Sequence, residues 1–168
     1  MKVIKIGGGC FKDEKAALAI IKLIFEKGKG NIFVLSAFSG VTDLLLQGIK
    51  DALKDENKIP IVINKLKKIH HSFIDHLILG KTSIKSEKDK ISIIFKKLER
   101  YFFGINFTRE ATPRMRDIIA CYGERLSSII VTSALLSRQI KANCVMPHKI
   151  GIITDGKYSY ASALISKT

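Results

Sequence analysis

The chain has 168 residues, 46% of them hydrophobic, which suits one ordinary domain with a real core. Its formal net charge is +14, from 29 Lys and Arg against 15 Asp and Glu, and only six of the basic residues are arginine. No apolar run approaches the ~18 residues of a membrane span, and the N-terminus lacks the basic-then-apolar pattern of a secretion signal. The three cysteines, Cys10, Cys121 and Cys144, have neither metal-ligand nor disulfide spacing, so a reducing cytoplasm is expected. The positive charge is mostly lysine spread along helical faces, and tryptophan is absent. Arginine forks and aromatic platforms, which nucleic-acid recognition favours, are lacking. The densest basic stretch, Lys65-Leu66-Lys67-Lys68, lies in an amphipathic pattern with Ile69 and Phe73 and reads as a solvated helix face. No nucleic-acid or membrane partner is expected, whereas small anionic ligands remain compatible with the charge.

Residues 2–6 read as a buried strand ending in Lys5-Ile6, followed directly by Gly7, Gly8 and Gly9. A strand, a cation and a glycine-rich turn ahead of a helix can hold an anionic group such as phosphate. Glycine lets backbone N–H groups turn inward through positive φ, and a helix N-terminus adds free donors. The spacing is neither a Walker loop nor G-x-G-x-x-G, so a plain strand-to-helix turn is an equal reading. Lys5 itself is either an anion partner or a solvent-facing strand end.

Asp13 predicts the N-cap of a helix with apolar positions Ala17, Ile20, Ile21 and Ile24, stopped by Gly28 and Gly30. Ile32-Phe33-Val34-Leu35 is a second strand, continuously apolar as in sheets covered on both faces. Strand, helix, strand implies a right-handed βαβ unit with a parallel sheet. Ser36 to Asp43 then forms a second strand-to-helix turn, leading into a helix to about Leu53. In open α/β folds, ligands bind at this carboxyl edge. The hydroxyls of Ser36, Ser39 and Thr42 serve there either as helix caps or as ligand contacts.

Residues 60–110 read as a helical insertion on the α/β core, with a bend over Gly80 and the Lys81–Ser86 stretch and a break near 104–110. His70, His71 and His76 have no metal-ligand spacing and read as ordinary surface or packed histidines. Thr112-Pro113 starts a further helix, whose stripe Met115, Ile118, Tyr122, Leu126, Ile129 and Ile130 runs toward Ser137. Inside it, Gly123 costs about 1 kcal/mol against alanine, so the helix breaks there or something approaches closely. Glu124 beside it is either half of a surface pair with Arg125 or a ligand contact. A third strand is expected over Ala142–Met146, and Thr154-Asp155-Gly156 is a turn. Three strands are few for this length, which suggests the front part of a longer chain.

In combination these residues resemble the aspartate kinase branch of the amino acid kinase family. Lys5-Ile6-Gly7-Gly8 resembles the family's opening Lys-Phe-Gly-Gly. Leu35 to Leu45 is very close to that branch's Val-Ser-Ala-Met-Ser-Gly-Val-Thr-Asn/Asp-Leu-Leu. Gly123 to Ser127 resembles its Gly-Glu-x-Leu-Ser, and Thr154-Asp155 with Ala161 fits a later Thr-Asp segment.

The resemblance implies a three-layer α/β/α fold with a mainly parallel sheet, incomplete over residues 1–168 and carrying the helical insertion. The stretch would be the N-terminal, aspartate-binding part of the kinase domain, with the ATP-binding half and regulatory ACT domains lying beyond it. The implied reaction transfers the ATP γ-phosphoryl group to the side-chain carboxylate of L-aspartate. Its product, aspartyl phosphate, feeds lysine, threonine and methionine synthesis. By the same match, Lys5 is catalytic and holds the ATP phosphates together with Gly7, Gly8 and Gly9. Ser39, Thr42 and Glu124 hold aspartate, Glu124 through its α-ammonium, and Asp155 lies nearby. No protein metal site is implied; Mg²⁺ would bridge the ATP phosphates. Gly9-Cys10-Phe11 departs from the family's Thr-Ser-Val and removes two hydroxyls beside the turn. Alone, the fragment is expected to be inactive and to self-associate through its open sheet edge. A non-catalytic aspartate-binding or assembly module, or a kinase with another acceptor, is the alternative.

Overall fold

The computed structural model of the protein describes residues 1–167. Two short strands, β1 (Val3–Ile6) and β2 (Ile32–Leu35), pair in parallel with Val3 opposite Ile32 and Ile6 opposite Leu35. Helix α1 (Glu14–Lys27) makes the crossover and buries Ala17, Ile21 and Ile24. Its N-cap is Asp13, whose carboxylate accepts the Ala16 N–H at 2.7 Å, as the sequence predicts. Between β1 and α1 lies a 3-10 turn, Gly8–Phe11.

The sheet departs from expectation in two respects. Residues 142–146 form no strand, so the described sheet has two strands. A β-prone run becomes a strand only where a neighbour offers a ladder of hydrogen bonds, and among the described residues none flanks this one. The sole pairing in the last stretch described is an antiparallel bridge between Thr154 and Ala163. One face of the sheet is also open: Val3, Ile32 and Val34 are 66%, 47% and 49% exposed, with Lys5 in register between them. Among the described residues the continuous apolar run of β2 is covered on one face only.

Helix α2 (Val41–Lys54) follows β2, and α3 (Lys58–Leu77) and α4 (Lys81–Thr108) form the expected insertion. Gly80, at φ +86°, makes the turn between them, and the Lys81–Ser86 stretch expected to share the bend is already helical. The insertion is fused to the rest by its core. At Gly48 of α2 an added Cβ would lie 2.8 Å from Phe102 and 2.9 Å from Val62, so three helices meet where only a hydrogen fits. Buried Asn106 donates to the Ala52 carbonyl at 2.7 Å, and Ser72 donates to Glu14 of α1 at 2.5 Å. That hydrogen bond is the main reason the Glu14 carboxyl titrates below its ordinary value. α4 runs on to Thr108, past the predicted break, because Phe102, Ile105 and Asn106 keep its inner face buried; it ends at left-handed Arg109.

Thr112 caps α5 (Pro113–Ala120) by accepting the Met115 N–H at 3.2 Å. The predicted single helix is interrupted at Cys121 and resumes as α6 (Tyr122–Leu136). Pro113–Leu136 contains an 18-residue window with a mean hydropathy of 1.3, long and apolar enough to span a membrane. Here Ile119, Leu126, Ile130, Val131, Ala134 and Leu135 are instead buried in the common protein core.

Candidate functional site

The two strand-end turns lie side by side at the carboxyl edge of the sheet. Ser36 donates its N–H to the Ile6 carbonyl at 3.0 Å, and Ser39 donates its N–H to the Phe11 carbonyl at 3.2 Å. A Cβ on Gly8 would sit 3.4 Å from the Ala37 carbonyl oxygen. The glycine turn is therefore packed against the serine turn.

Its geometry corrects the sequence reading in two ways. Gly7 has φ −74°, and Gly8 and Gly9 are not among the positive-φ residues, so the turn does not use left-handed backbone; a Cβ on Gly7 or Gly9 would meet nothing within 4 Å. Secondly, α1 does not present its N-terminus to the turn. Asp13 caps it and Glu14 occupies its first position, so its positive end already faces carboxylates. What remains for an anion is the start of the 3-10 turn, where the N–H groups of Gly8 and Gly9 form no hydrogen bond among the described residues. Lys5 is exposed, and no described carboxylate lies within ion-pair distance of it.

The serine turn feeds α2 through Gly40, at φ +75°, and α2 has no side-chain cap. The hydroxyls of Ser39 and Thr42 thus do not act as caps, and neither has a hydrogen-bond partner among the described residues. Ser39 is exposed and Thr42 half-buried.

Glu124 arrives on the first turn of α6, which rests on the serine turn. A Cβ on Gly123 would lie 2.7 Å from the Ala37 Cβ. One turn further along, buried Ser127 donates to the Ser36 carbonyl at 2.8 Å. Gly123 thus marks a close approach, and the helix break falls two residues earlier. The expected Glu124–Arg125 surface pair does not form: the Arg125 guanidinium lies over the Tyr122 ring at 5.4 Å. Glu124 is left exposed with no ion pair among the described residues.

Packing therefore gathers Gly7, Gly8, Gly9, Ser39, Thr42 and Glu124 on adjoining turns at one sheet edge, with Lys5 on the strand feeding the first. Asp155 stands apart. Its carboxylate accepts the N–H groups of Lys157 and Ser162, at 3.2 and 3.1 Å, and closes its own turn. That segment is tied to α5, where Asp117 accepts the Ser159 N–H at 2.7 Å. Among the described residues no group of three His, Cys, Asp or Glu side chains could hold a metal ion.

Sequence reasoning named Gly123 and Ser127 but not the contacts through which they order the site. Ser127 carries a signal: it is a polar residue four positions after Gly123, on the same helix face. The stacking of Phe38 on Phe73 joins residues 35 positions apart and has no local signature.

Known proteins share this fold. Two solved structures of E. coli aspartokinase III superpose on 99% of the chain with TM-scores of 0.86 and 0.85. The fold is that of an aspartokinase. The first is a complex with aspartate and ADP, at 17% sequence identity, and the second a complex with lysine and aspartate, at 18%. The bifunctional aspartokinase/homoserine dehydrogenase of Buchnera aphidicola subsp. Acyrthosiphon pisum is 24% identical over 172 aligned residues, including all of this chain. No family model matches. The chain spans 21% of the Buchnera protein and 35% and 36% of the two aspartokinase III chains. The resemblance to aspartokinase is shown along the whole chain, which corresponds to a fragment of the larger proteins.

Proposed function

We propose that the chain is the aspartate-binding, N-terminal part of an aspartokinase, which phosphorylates the side-chain carboxylate of L-aspartate at the expense of ATP. The observation that carries this reading is the convergence of the glycine turn, the serine turn and the start of α6 on one sheet edge, with Lys5 and Glu124 both unpaired. A substrate with one ammonium and two carboxylates, meeting a polyphosphate, needs this mixture of one anion, one cation, hydroxyls and free N–H groups.

Phosphoryl transfer needs alignment and charge neutralisation more than a protein nucleophile. In this reading Lys5 draws negative charge from the transferring group, and the N–H groups of Gly8 and Gly9, beside Gly7, hold phosphate oxygens. Ser39 and Thr42 offer hydroxyl donors to the aspartate carboxylates, and Glu124 pairs with its α-ammonium. Asp155 belongs to the reading as a neighbour that would have to leave its turn to contribute. Mg²⁺ bound with ATP would offset the phosphate charge, and no residue of this chain is assigned to hold it. The adenine pocket and regulatory domains would lie on the part of the enzyme that the relatives have beyond this stretch. The reading also implies a cytoplasmic, homo-oligomeric enzyme of lysine, threonine and methionine synthesis.

The test is formation of aspartyl hydroxamate from aspartate, MgATP and hydroxylamine by the whole protein that contains this chain. Lys5→Ala should abolish it with folding intact, and undiminished turnover would reject the role of Lys5. A second reading, a binding or assembly module without turnover, is favoured by the open sheet face of Val3, Ile32 and Val34. It predicts aspartate binding by calorimetry with no phosphoryl transfer under any condition.

A further inference from the structure

The serine turn is held from outside the α/β unit by an aromatic cluster. Phe38, between Ala37 and Ser39, is 1% exposed. Its ring stacks on Phe73 of α3 with centroids 3.8 Å apart and planes 8° from parallel. Phe11, from the glycine turn, meets it edge-on at 5.5 Å, and His70 lies 5.6 Å away. Phe73 and Ser39 also line one cleft of about 340 Å³, together with Lys12 and Lys68. Among the described residues Ser39 has one backbone anchor of its own, its N–H to the Phe11 carbonyl, and its hydroxyl has no partner.

We propose that Phe73, on the helical insertion, is a positioning residue for the serine turn, acting through its stack on Phe38 to fix Ser39 and Thr42 toward the ligand. Offset aromatic stacks favour one mutual geometry, and a backbone flanking a locked ring inherits that geometry. Phe73 sets where the Phe38 Cα stands, Phe11 sets the spacing to the glycine turn, and the two turns move as one unit. The insertion is then part of the site and not only a surface addition. The ligand half of this proposal rests on the aspartate reading above; the mechanical half does not.

The experiment uses the full chain and reads the two halves separately. Amide hydrogen exchange reports the Ser39 N–H bonded to Phe11, and calorimetry with L-aspartate reports binding. Phe73→Leu should speed Ser39 exchange about tenfold, the order expected for loss of one aromatic pair, while core amides of α4 and α6 keep their rates. Phe73→Tyr, which retains the ring beside the cleft, should restore the parent rate. If Phe73→Leu does not fold, Phe38→Leu is read against Phe38→Tyr in the same way. Unchanged Ser39 exchange, or acceleration shared uniformly by the α4 and α6 core, overturns the positioning role. Aspartate affinity should fall about tenfold in Phe73→Leu and recover in Phe73→Tyr. A parent chain that binds no aspartate rejects the ligand reading, and Ser39 exchange still decides the positioning.

Discussion

Gly123 and Ala37 approach so closely that a methyl group on Gly123 would stand 2.7 Å from the Ala37 Cβ. This contact seats α6, and with it Glu124, on the turn that carries Ser39 and Thr42. In an exposed helix, glycine to alanine stabilises by about 1 kcal/mol. Here the sign reverses: Gly123→Ala should destabilise by about 1–3 kcal/mol, since neither Cβ can rotate away. Adding Ala37→Gly should recover most of the loss. Urea unfolding of the two single variants and the double variant checks it, and additive effects would contradict a direct clash.

Ser127→Ala removes the hydroxyl that meets the Ser36 carbonyl at 2.8 Å. Loss of one buried hydrogen bond should cost about 1 kcal/mol. The paired readout is aspartate affinity, which should weaken because the serine turn loses a tether. Stability and affinity both at parental values would remove Ser127 from the site's support.

The imidazole of His70 is fully buried, and burial pushes its pKa from 6.5 to about 4. Its Nδ1 donates to the Leu66 carbonyl at 2.7 Å, while Nε2 has no partner among the described residues. In the unfolded chain the ring binds its proton at the ordinary pKa, so below that point the unfolded state takes up more protons. Stability should therefore be fully present above pH 6.5 and decline as pH falls toward 4, by on the order of 3 kcal/mol. Urea unfolding at a series of pH values should show this slope, and His70→Leu should flatten it over that interval.

Gly48→Ala places a Cβ 2.8 Å from the Phe102 ring and 2.9 Å from Val62. The three helices around it should separate slightly, at a cost of about 1–3 kcal/mol. Thermal melting would register a lower Tm, and an unchanged Tm would mean that the Phe102 ring yields freely.

The local signals in the chain were legible because each rests on neighbouring residues. Asp13 and Thr112 announce their helices through caps, and Gly80 announces its turn through a backbone that only glycine adopts readily. The expected third strand does not form, because the run Ala142–Met146 has strand-like residues but no partner beside it among the described residues. The expected φ of the glycine turn also failed. Gly8 does touch the Ala37 carbonyl, 29 residues away in sequence, but a Cβ there would meet it at an ordinary 3.4 Å.

For the site, the sequence by itself determined which chemistry is present: Lys5 at a strand end, glycines behind it, hydroxyls at Ser39 and Thr42, and a carboxylate at Glu124. Residue identity and short-range order suffice for that, since caps, turns and strand ends are set within a few positions. Tertiary structure alone decided which of these groups are free to act. Arg125 turned to Tyr122 and left Glu124 unpaired, while Asp155 was taken up by its own turn. It also set α6 on the serine turn through Gly123 and Ser127, and locked that turn to α3 through Phe38 and Phe73. These outcomes depend on close packing between segments distant in sequence, where shape complementarity selects one arrangement and no local pattern records it.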